Sequence, residues 1–224
     1  MNAPATGLAP GLVALADWIA PDRTALLLID MQVDFAAPDG ALGLAGVDMS
    51  VVEPALAQAE RLAAAARAAG AAVVFIGLQT DPASDSPAWR TRMLRRGGDP
   101  DEEGALCRAG DRGAEFYGPA PMASELVVLK TRYSGFFGTE LDTTLKALRI
   151  DTLVVCGLTT ECCVDCTVRD AFHLDFQVFL AGDACAAYEP DLHQGALKSL
   201  ELNCAILVTT DAVAAAWGES AAHG

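Results

Sequence analysis

Short, continuous apolar runs alternate with segments of helical spacing along most of this chain. The first run, TALLLI at 24–29, stops at Asp30. Runs of this kind are typical of strands covered on both faces, as in a parallel sheet. Further strands are predicted at 71–76, 125–129, 152–156, 177–181 and 205–208, and helices at 50–69, 139–148, 161–174, 190–202 and 211–217. The alternation predicts an α/β protein in which ligands bind beyond the carboxyl ends of the strands.

Length and composition fit one folded domain. The 224 residues are 52% hydrophobic and 20% charged, which is typical of globular proteins. We expect a surface arm over residues 1–20, packed through Leu12, Leu15 and Trp18, and a single domain over residues 21–224. One long segment rich in proline and glycine, residues 80–121, interrupts the alternation. Segments of this length without regular structure are usually functional loops.

Charge and hydropathy exclude several kinds of partner. A net charge of -15 repels phosphate backbones and anionic lipid, so neither nucleic acid nor a membrane is an expected partner. No apolar run reaches the roughly 18 residues of a membrane span, and no Lys or Arg precedes Arg23 to form the basic start of a signal peptide. We therefore expect a cytoplasmic protein. Its seven cysteines, an odd number, fit reduced thiols better than a disulfide framework.

Polar side chains follow several predicted strands and are expected to converge on one crevice. They are Asp30, Lys130, the segment 157–163 and Asp183. Cys163 lies at the start of a predicted helix, where the helix dipole lowers a thiol pKa and favours a nucleophile; a packed core cysteine is an equal alternative. Lys130 either holds a carboxylate ionised or extends to solvent, and Asp30 is either a general base or a turn cap. Together the three supply a base, a cation and a nucleophile for covalent acyl transfer.

Three motifs occur in order: Asp30-Met31-Gln32-x-Asp34-Phe35, then Lys130 followed by Arg132-Tyr133-Ser134-Gly135-Phe136-Phe137, then Gly157-x-x-Thr160-x-x-Cys163. Over roughly residues 22–215 the chain resembles the isochorismatase-like cysteine hydrolase superfamily. The resemblance implies a Rossmann-like three-layer α/β/α sandwich with a six-stranded parallel sheet. It also implies a catalytic triad of Asp30, Lys130 and Cys163, and relatives that are homodimers or homotetramers.

The same resemblance implies the chemistry around the nucleophile. A cis peptide bond is expected between Leu158 and Thr159, with the backbone N–H groups of Thr159 and Cys163 forming an oxyanion hole. The motif spacing selects Cys163 rather than the adjacent Cys162, a choice that the helix dipole alone does not make.

Departures from the family pattern narrow the substrate. Nicotinamidases carry an Asp/His metal cluster after the second strand, but residues 77–81 have no histidine nearby, and His173, His193 and His223 are scattered. Neither a metal nor another cofactor is therefore predicted, and the histidines are expected on helix surfaces or in the tail. True isochorismatases lack the nucleophilic cysteine. The stretch Leu44-Ala45-Gly46-x-Asp48, together with residues 132–137, resembles the ureidoacrylate branch of carbamoyl and ureido amidohydrolases.

Five residues are candidates for contact with a small-molecule substrate: Gln32, Phe35, Tyr133, Leu158 and Asn203. A strand-edge amide and core aromatics are equal alternatives for Gln32 and for the two rings. Residues 80–121 are expected to set substrate choice, with most of their arginines pairing with surface acids.

The sequence thus predicts a cysteine-dependent amidohydrolase that cleaves a C–N bond of a biuret-, triuret- or ureidoacrylate-like substrate. Two alternatives keep the fold: an amidase of a maleamate- or nicotinamide-like amide, and a non-catalytic binding member. A zinc or redox role for Cys162, Cys163 and Cys166 lacks a second ligand pair, and no Gly-x-Gly-x-x-Gly follows a strand to bind a nucleotide.

Overall fold

The computed structural model describes residues 14–222, with side chains up to residue 218. The sheet of this described part has six strands: β1 (Thr24–Ile29), β2 (Ala72–Leu78), β3 (Leu126–Lys130), β4 (Thr152–Leu158), β5 (Gln177–Ala186) and β6 (Ile206–Val208). All neighbouring strands pair in parallel, in the order β3-β2-β1-β4-β5-β6. The predicted six-stranded parallel sheet is confirmed.

Helices cover both faces of the sheet and complete the predicted three-layer sandwich. They are α1 (Leu15–Trp18), α2 (Val33–Ala36), α3 (Ala41–Leu44), α4 (Glu53–Ala69), α5 (Pro87–Arg95), α6 (Pro100–Glu103), α7 (Leu141–Ala147), α8 (Asp165–His173), α9 (Pro190–Asn203) and α10 (Thr210–Ala222). Short 3-10 turns occur at Met49–Val51 and Arg112–Ala114, and a π-helical turn at Thr160–Val164 precedes α8. Helix α4 packs against α10, and α8 packs against α9.

Local sequence accounts for these elements. Every residue of β1 and β4 is buried, as expected for central strands covered on both faces. Helix α4 has Pro54 in its first turn and ends at Gly70, whose φ of 76° is left-handed and whose N–H closes the last turn. Glycine is favoured in that cap because it has no Cβ to clash.

The strand order reverses between β1 and β4. The chain leaves β1 towards β2 on one side and leaves β4 towards β5 on the other, so a crevice opens beyond the carboxyl ends of these two strands. Gly157 of β4 is paired with Ile29 of β1, and a Cβ at Gly157 would collide with the Ile29 carbonyl oxygen. The glycine therefore lets β4 approach β1 immediately before Asp30.

Strand β5 runs five residues past its predicted end at 181, to Ala186. Gly182 and Asp183, which resemble a turn in sequence, lie in an irregular stretch of the β4–β5 pairing. The Asp183 carboxylate accepts hydrogen bonds from Thr210 N (2.9 Å) and Thr210 Oγ1 (3.1 Å) at the start of α10. The expectation that Asp183 joins the crevice is wrong, because the carboxylate caps a helix instead.

The beginning of the described chain packs against α10. Leu15 and Trp18 lie against the core, and the Trp217 indole N–H donates to the Ile19 carbonyl at 2.9 Å. Leu12, predicted to take part in this packing, lies outside the described residues. No helix among the described residues is long and apolar enough to span a membrane.

Candidate active site

Three predicted side chains meet at the carboxyl ends of the strands. Lys130 Nζ donates to Asp30 Oδ2 at 2.7 Å and lies 3.5 Å from Cys163 Sγ. It also donates to the Arg132 carbonyl at 3.1 Å. The side chains of the Lys130–Asp30 pair are 0% and 1% exposed, so water does not screen this ion pair. A carboxylate, an ammonium group and a thiol therefore share one buried cluster.

Asp30 stands at the end of β1 in a left-handed conformation, with φ at 49°. Aspartate tolerates this region better than most residues, and the Asp30 N–H bonds to the Ile76 carbonyl at 2.8 Å. Within the described structure, the second carboxylate oxygen, Oδ1, is buried and has no hydrogen-bond partner. Buried acceptors are normally satisfied, so an unpartnered carboxylate oxygen is an unusual feature of this cluster.

Cys163 lies in the π-helical turn after β4, an irregularity often found at functional sites. Thr167 Oγ1 donates to the Cys163 carbonyl at 2.7 Å and accepts from Gly135 N at 3.0 Å. Residues of the second and third motifs are thereby tied together. The Leu158–Thr159 peptide bond that leads into the turn is cis, as the resemblance implied.

Electrostatics give the cluster a definite protonation pattern. Burial works against a charged Lys130, but the Asp30 carboxylate and the Cys163 sulfur outweigh it and raise the pKa of the ammonium. Interaction with the Cys162 thiol, burial and the nearby Asp30 charge raise the pKa of Cys163, against the opposing effect of Lys130. Both shifts favour the protonated form, an ammonium group at Lys130 and a thiol at Cys163, while the shared contact lowers the pKa of Cys162.

This pattern corrects the expectation that the helix dipole lowers the pKa of Cys163. The contact with the Cys162 thiol raises the pKa most, and desolvation adds to it because only 7% of Cys163 is exposed. A reaction at this sulfur would therefore need a base, and the unpartnered Asp30 Oδ1 belongs to the same cluster.

A cavity of about 490 Å³ opens above the cluster, and Asp30 and Cys163 lie in its lining. The segment 80–121 contributes much of its wall, through helices α5 and α6 and the loop that follows them. Among the described residues, no group of three or more His, Cys, Asp and Glu side chains is placed to hold a metal ion.

Comparison with known proteins identifies the family. The profile of the Isochorismatase domain matches residues 24–212. The chain belongs to the isochorismatase family. It is 36% identical over 193 residues to the ureidoacrylate amidohydrolase RutB of Pseudomonas syringae pv. syringae (strain B728a), covering 81% of this chain and 78% of that protein. RutB of Serratia proteamaculans (strain 568) is also 36% identical, over 194 residues, covering 81% of this chain and 77% of that protein.

Solved structures of the isochorismatase family share the fold. A cysteine hydrolase from Pseudomonas syringae pv. phaseolicola 1448A superposes with a TM-score of 0.78 at 29% identity, covering 91% of this chain and 96% of that chain. The N-carbamoylsarcosine amidase from Thermoplasma acidophilum superposes with a TM-score of 0.69 at 27% identity, covering 84% and 97% of the two chains.

Within this isochorismatase-family site, three of the five candidate substrate contacts line the cavity. They are Phe35, Tyr133 and Leu158. Thr159, the candidate oxyanion residue beside Cys163, also lines it. Cys162 lines the cavity too, but the contact with Lys130 Nζ is made by Cys163. The geometry therefore agrees with the motif spacing about which cysteine lies nearest the ammonium.

Gln32 lies elsewhere. Its side chain is fully buried, with Oε1 accepting from Leu78 N at 2.8 Å and Nε2 donating to the Leu78 and Ala114 carbonyls at 2.9 and 2.8 Å. Backbone groups occupy the amide, and Gln32 is not part of the cavity lining, so the structure does not bring it together with the other candidate contacts. The residue instead ties the end of β2 to the segment 80–121.

Asn203 is also outside the site. It ends α9, is exposed, and donates to the Ser199 carbonyl at 2.7 Å. It precedes β6 and borders a groove with Trp18 and Phe172. A residue that precedes a parallel strand lies at its amino end, whereas the cluster lies beyond the carboxyl ends. The structure therefore does not bring Asn203 together with the cluster.

Several residues of the cavity and its surroundings were not predicted from the sequence. Trp89, Met93 and Leu106 form part of the wall, in a segment that shows no clear periodicity. His193, expected on a helix surface, is partly buried, with Nδ1 2.8 Å from Thr160 Oγ1 in the turn before Cys163. Nothing in the local sequence indicates that these three residues line a cavity or that His193 contacts Thr160.

Proposed function

We propose that this protein is a cysteine-dependent amidohydrolase that cleaves a C–N bond of a small ureide or carboxamide through a covalent acyl-enzyme. The family relationship already supports amidohydrolase activity. The proposed covalent mechanism rests on the position of Lys130 Nζ, 2.7 Å from Asp30 Oδ2 and 3.5 Å from Cys163 Sγ.

Attack begins with a proton transfer. Asp30 Oδ1, which has no hydrogen-bond partner among the described residues, takes the Cys163 proton as the sulfur attacks the carbonyl carbon. Lys130 remains charged and stabilises the negative charge that develops on sulfur. The carbonyl oxygen becomes an oxyanion, and the backbone N–H groups of Thr159 and Cys163 are its proposed donors; such donors typically contribute about 10²–10³ in rate.

In the second half of the reaction, Asp30 first donates its proton and then accepts one from water. Protonated Asp30 gives its proton to the leaving nitrogen, and ammonia or an amine departs as the C–N bond breaks. Asp30 then takes a proton from water, which attacks the thioester or thiocarbamate and releases a carboxylate or carbamate. Cys163 recovers its proton, so that the net reaction consumes one water for each C–N bond.

Ammonia release from a panel of amides and ureides tests the proposal. Biuret, triuret, ureidoacrylate, N-carbamoylsarcosine, maleamate and nicotinamide cover the chemical classes. We expect turnover of at least one ureide or amide, and a loss of at least about 10³-fold in kcat for Cys163→Ser.

Two neighbouring cysteines serve as matched controls. Cys162→Ser is expected to keep kcat within about tenfold, and Cys166→Ser, outside the cavity lining, within about twofold. Circular dichroism verifies that each variant is folded. Unchanged turnover in folded Cys163→Ser would refute the covalent mechanism.

A further inference from the structure

The proposed function fixes the reacting group but leaves the rest of the substrate open. The cavity measures about 490 Å³, within the range of roughly 300–1,000 Å³ that encloses drug-sized ligands. A ureido or carboxamide group has only a few heavy atoms, so a minimal substrate would leave most of this volume unfilled. The cavity therefore has room for a substantial second part of the substrate.

Apolar and aromatic side chains form most of the wall around that space. Trp89 and Met93 are four residues apart on α5 and share one face of the helix. The Trp89 and Tyr133 rings lie 5.4 Å apart, and the Arg132 guanidinium lies 5.3 Å from the Trp89 ring. Contacts on two sides fix the indole in place. Phe35 and Leu106 extend the apolar surface.

The charges of the cavity do not favour an anionic substrate. Among the described side chains of the lining, Arg92 is the one cation, against Glu102, Glu103 and Asp30. Lys130 neutralises Asp30 through its ion pair, and Arg92, Glu102 and Glu103 are exposed, so the buried part of this described lining holds no unpaired cation. A substrate carboxylate placed among the apolar groups would lose hydration without a surplus of positive charge to compensate.

We infer that the substrate is a ureide or carboxamide whose non-reacting part is an uncharged, apolar body such as an aryl ring or an alkyl chain. This inference rests on the proposed function and deepens it. The wall buries the apolar body, and the cluster of Asp30, Lys130 and Cys163 acts on the C–N bond at the other end of the same molecule.

Matched substrate pairs test the inference in the wild-type enzyme. Hexanamide and adipamate differ by one terminal carboxylate, as do phenylurea and 4-ureidobenzoate. We expect kcat/KM for ammonia release to be at least about tenfold higher for the uncharged member of each pair. Along acetamide, butanamide and hexanamide, kcat/KM should rise about fourfold per added methylene, which corresponds to full burial of each group.

A pair of variants on α5 tests the wall itself. Met93 is 3% exposed and lines the cavity, whereas its neighbour Leu94 is 60% exposed. Met93→Ser should lower the hexanamide-to-acetamide ratio of kcat/KM by about tenfold, and Leu94→Ser should leave that ratio unchanged. The wild-type series provides the test on its own if Met93→Ser does not fold.

The outcomes separate this inference from the function on which it rests. Cleavage of both members of each pair at equal rates, or faster cleavage of the carboxylates, would refute an apolar non-reacting part of the substrate. The amidohydrolase mechanism would remain intact. Ammonia from none of these compounds would overturn the inference, and the mechanism would be contradicted with it only if the panel of ureides and amides in the preceding section also released none.

Discussion

The floor of the cavity consists of side chains at strand ends, whereas much of its wall comes from the segment 80–121. On the floor, Asp30 follows β1, Lys130 ends β3, and Cys163 lies in the turn directly after β4. The wall comes from short helices and loops held by side chains such as Gln32 and Asp34, which accepts from Cys107 N at 2.7 Å. Parallel strands fix the floor through continuous backbone pairing, while isolated backbone bridges and individual side-chain contacts hold the wall.

Because they are built differently, the floor and the wall are expected to control different kinetic constants. A floor residue sets the chemistry, so its loss should lower kcat whichever amide is supplied. A wall residue sets which amide binds, so its loss should change KM and the ranking of substrates. Variants from the two regions should therefore differ in kinetic character as well as in magnitude.

The largest effect is expected from Lys130→Met. The change leaves the Asp30 carboxylate buried without its partner, so the free energy of unfolding at pH 7 should fall by about 3–5 kcal/mol. Activity should fall by at least about 10³-fold, because the cation beside Cys163 is lost. Urea unfolding and ammonia release measure the two quantities.

Two further variants sharpen that result. Asp30→Asn/Lys130→Met should recover most of the stability while remaining inactive, because no buried charge is left unpaired. Lys146→Met removes an exposed ion pair with Asp142 and should change stability by less than about 0.5 kcal/mol. Full activity of Lys130→Met would show that the reaction does not need the Lys130 cation.

Gln32→Leu tests the contacts that hold the segment 80–121 against the end of β2. It removes the partners of buried Leu78 and Ala114 backbone groups, at an expected loss of about 1–3 kcal/mol in unfolding free energy. KM should change by less than threefold, because the amide does not line the cavity. A tenfold rise in KM with unchanged stability would restore Gln32 as a substrate contact.

Trp89→Ala should show the kinetic character of the wall. Its ring lies against Tyr133, and its loss removes a large apolar surface from the cavity. Steady-state kinetics should show KM for an aryl or alkyl amide rising about tenfold, with kcat within threefold. Trp18→Ala, at the opposite edge of the sheet, should leave both constants unchanged. A large fall in kcat with constant KM in Trp89→Ala would erase the distinction between the two regions.

The smallest effect is expected at His193. Burial lowers the pKa of this imidazole below 6.5, with Glu161 opposing. Stability is therefore greatest above pH 6.5 and falls as the pH drops through that value, because the unfolded chain binds the proton first. His193→Gln should lose less stability than the wild type between pH 7 and pH 5, by under about 1 kcal/mol because the ring is partly solvated. Identical pH profiles would contradict the assignment.

The sequence predicted the floor well because its signals are local. The run at 24–29 coincides with β1, and the polar residues that end the strands meet because parallel strands present their carboxyl ends at one edge. Motif spacing then selected Cys163 rather than Cys162, a choice that the helix dipole alone did not make.

The wall and the protonation pattern were not accessible in the same way. Trp89 and Met93 belong to a short helix whose packing is set by tertiary contacts rather than by periodicity. The direction of the Gln32 side chain depends on where the segment 80–121 passes. The pKa of Cys163 is raised by the contact with the Cys162 thiol, by burial and by the nearby Asp30 charge, and none of these follows from a position at the start of a helix.

The most direct test of the account is to locate the covalent intermediate. The wild-type enzyme is mixed with a turned-over ureide or amide, quenched in acid within the first turnover, digested and fragmented by mass spectrometry to distinguish Cys162 from Cys163. We predict the acyl or carbamoyl group on Cys163, with Cys162 unmodified. An acyl group on Cys162, or turnover with both sulfurs unmodified throughout, would contradict it.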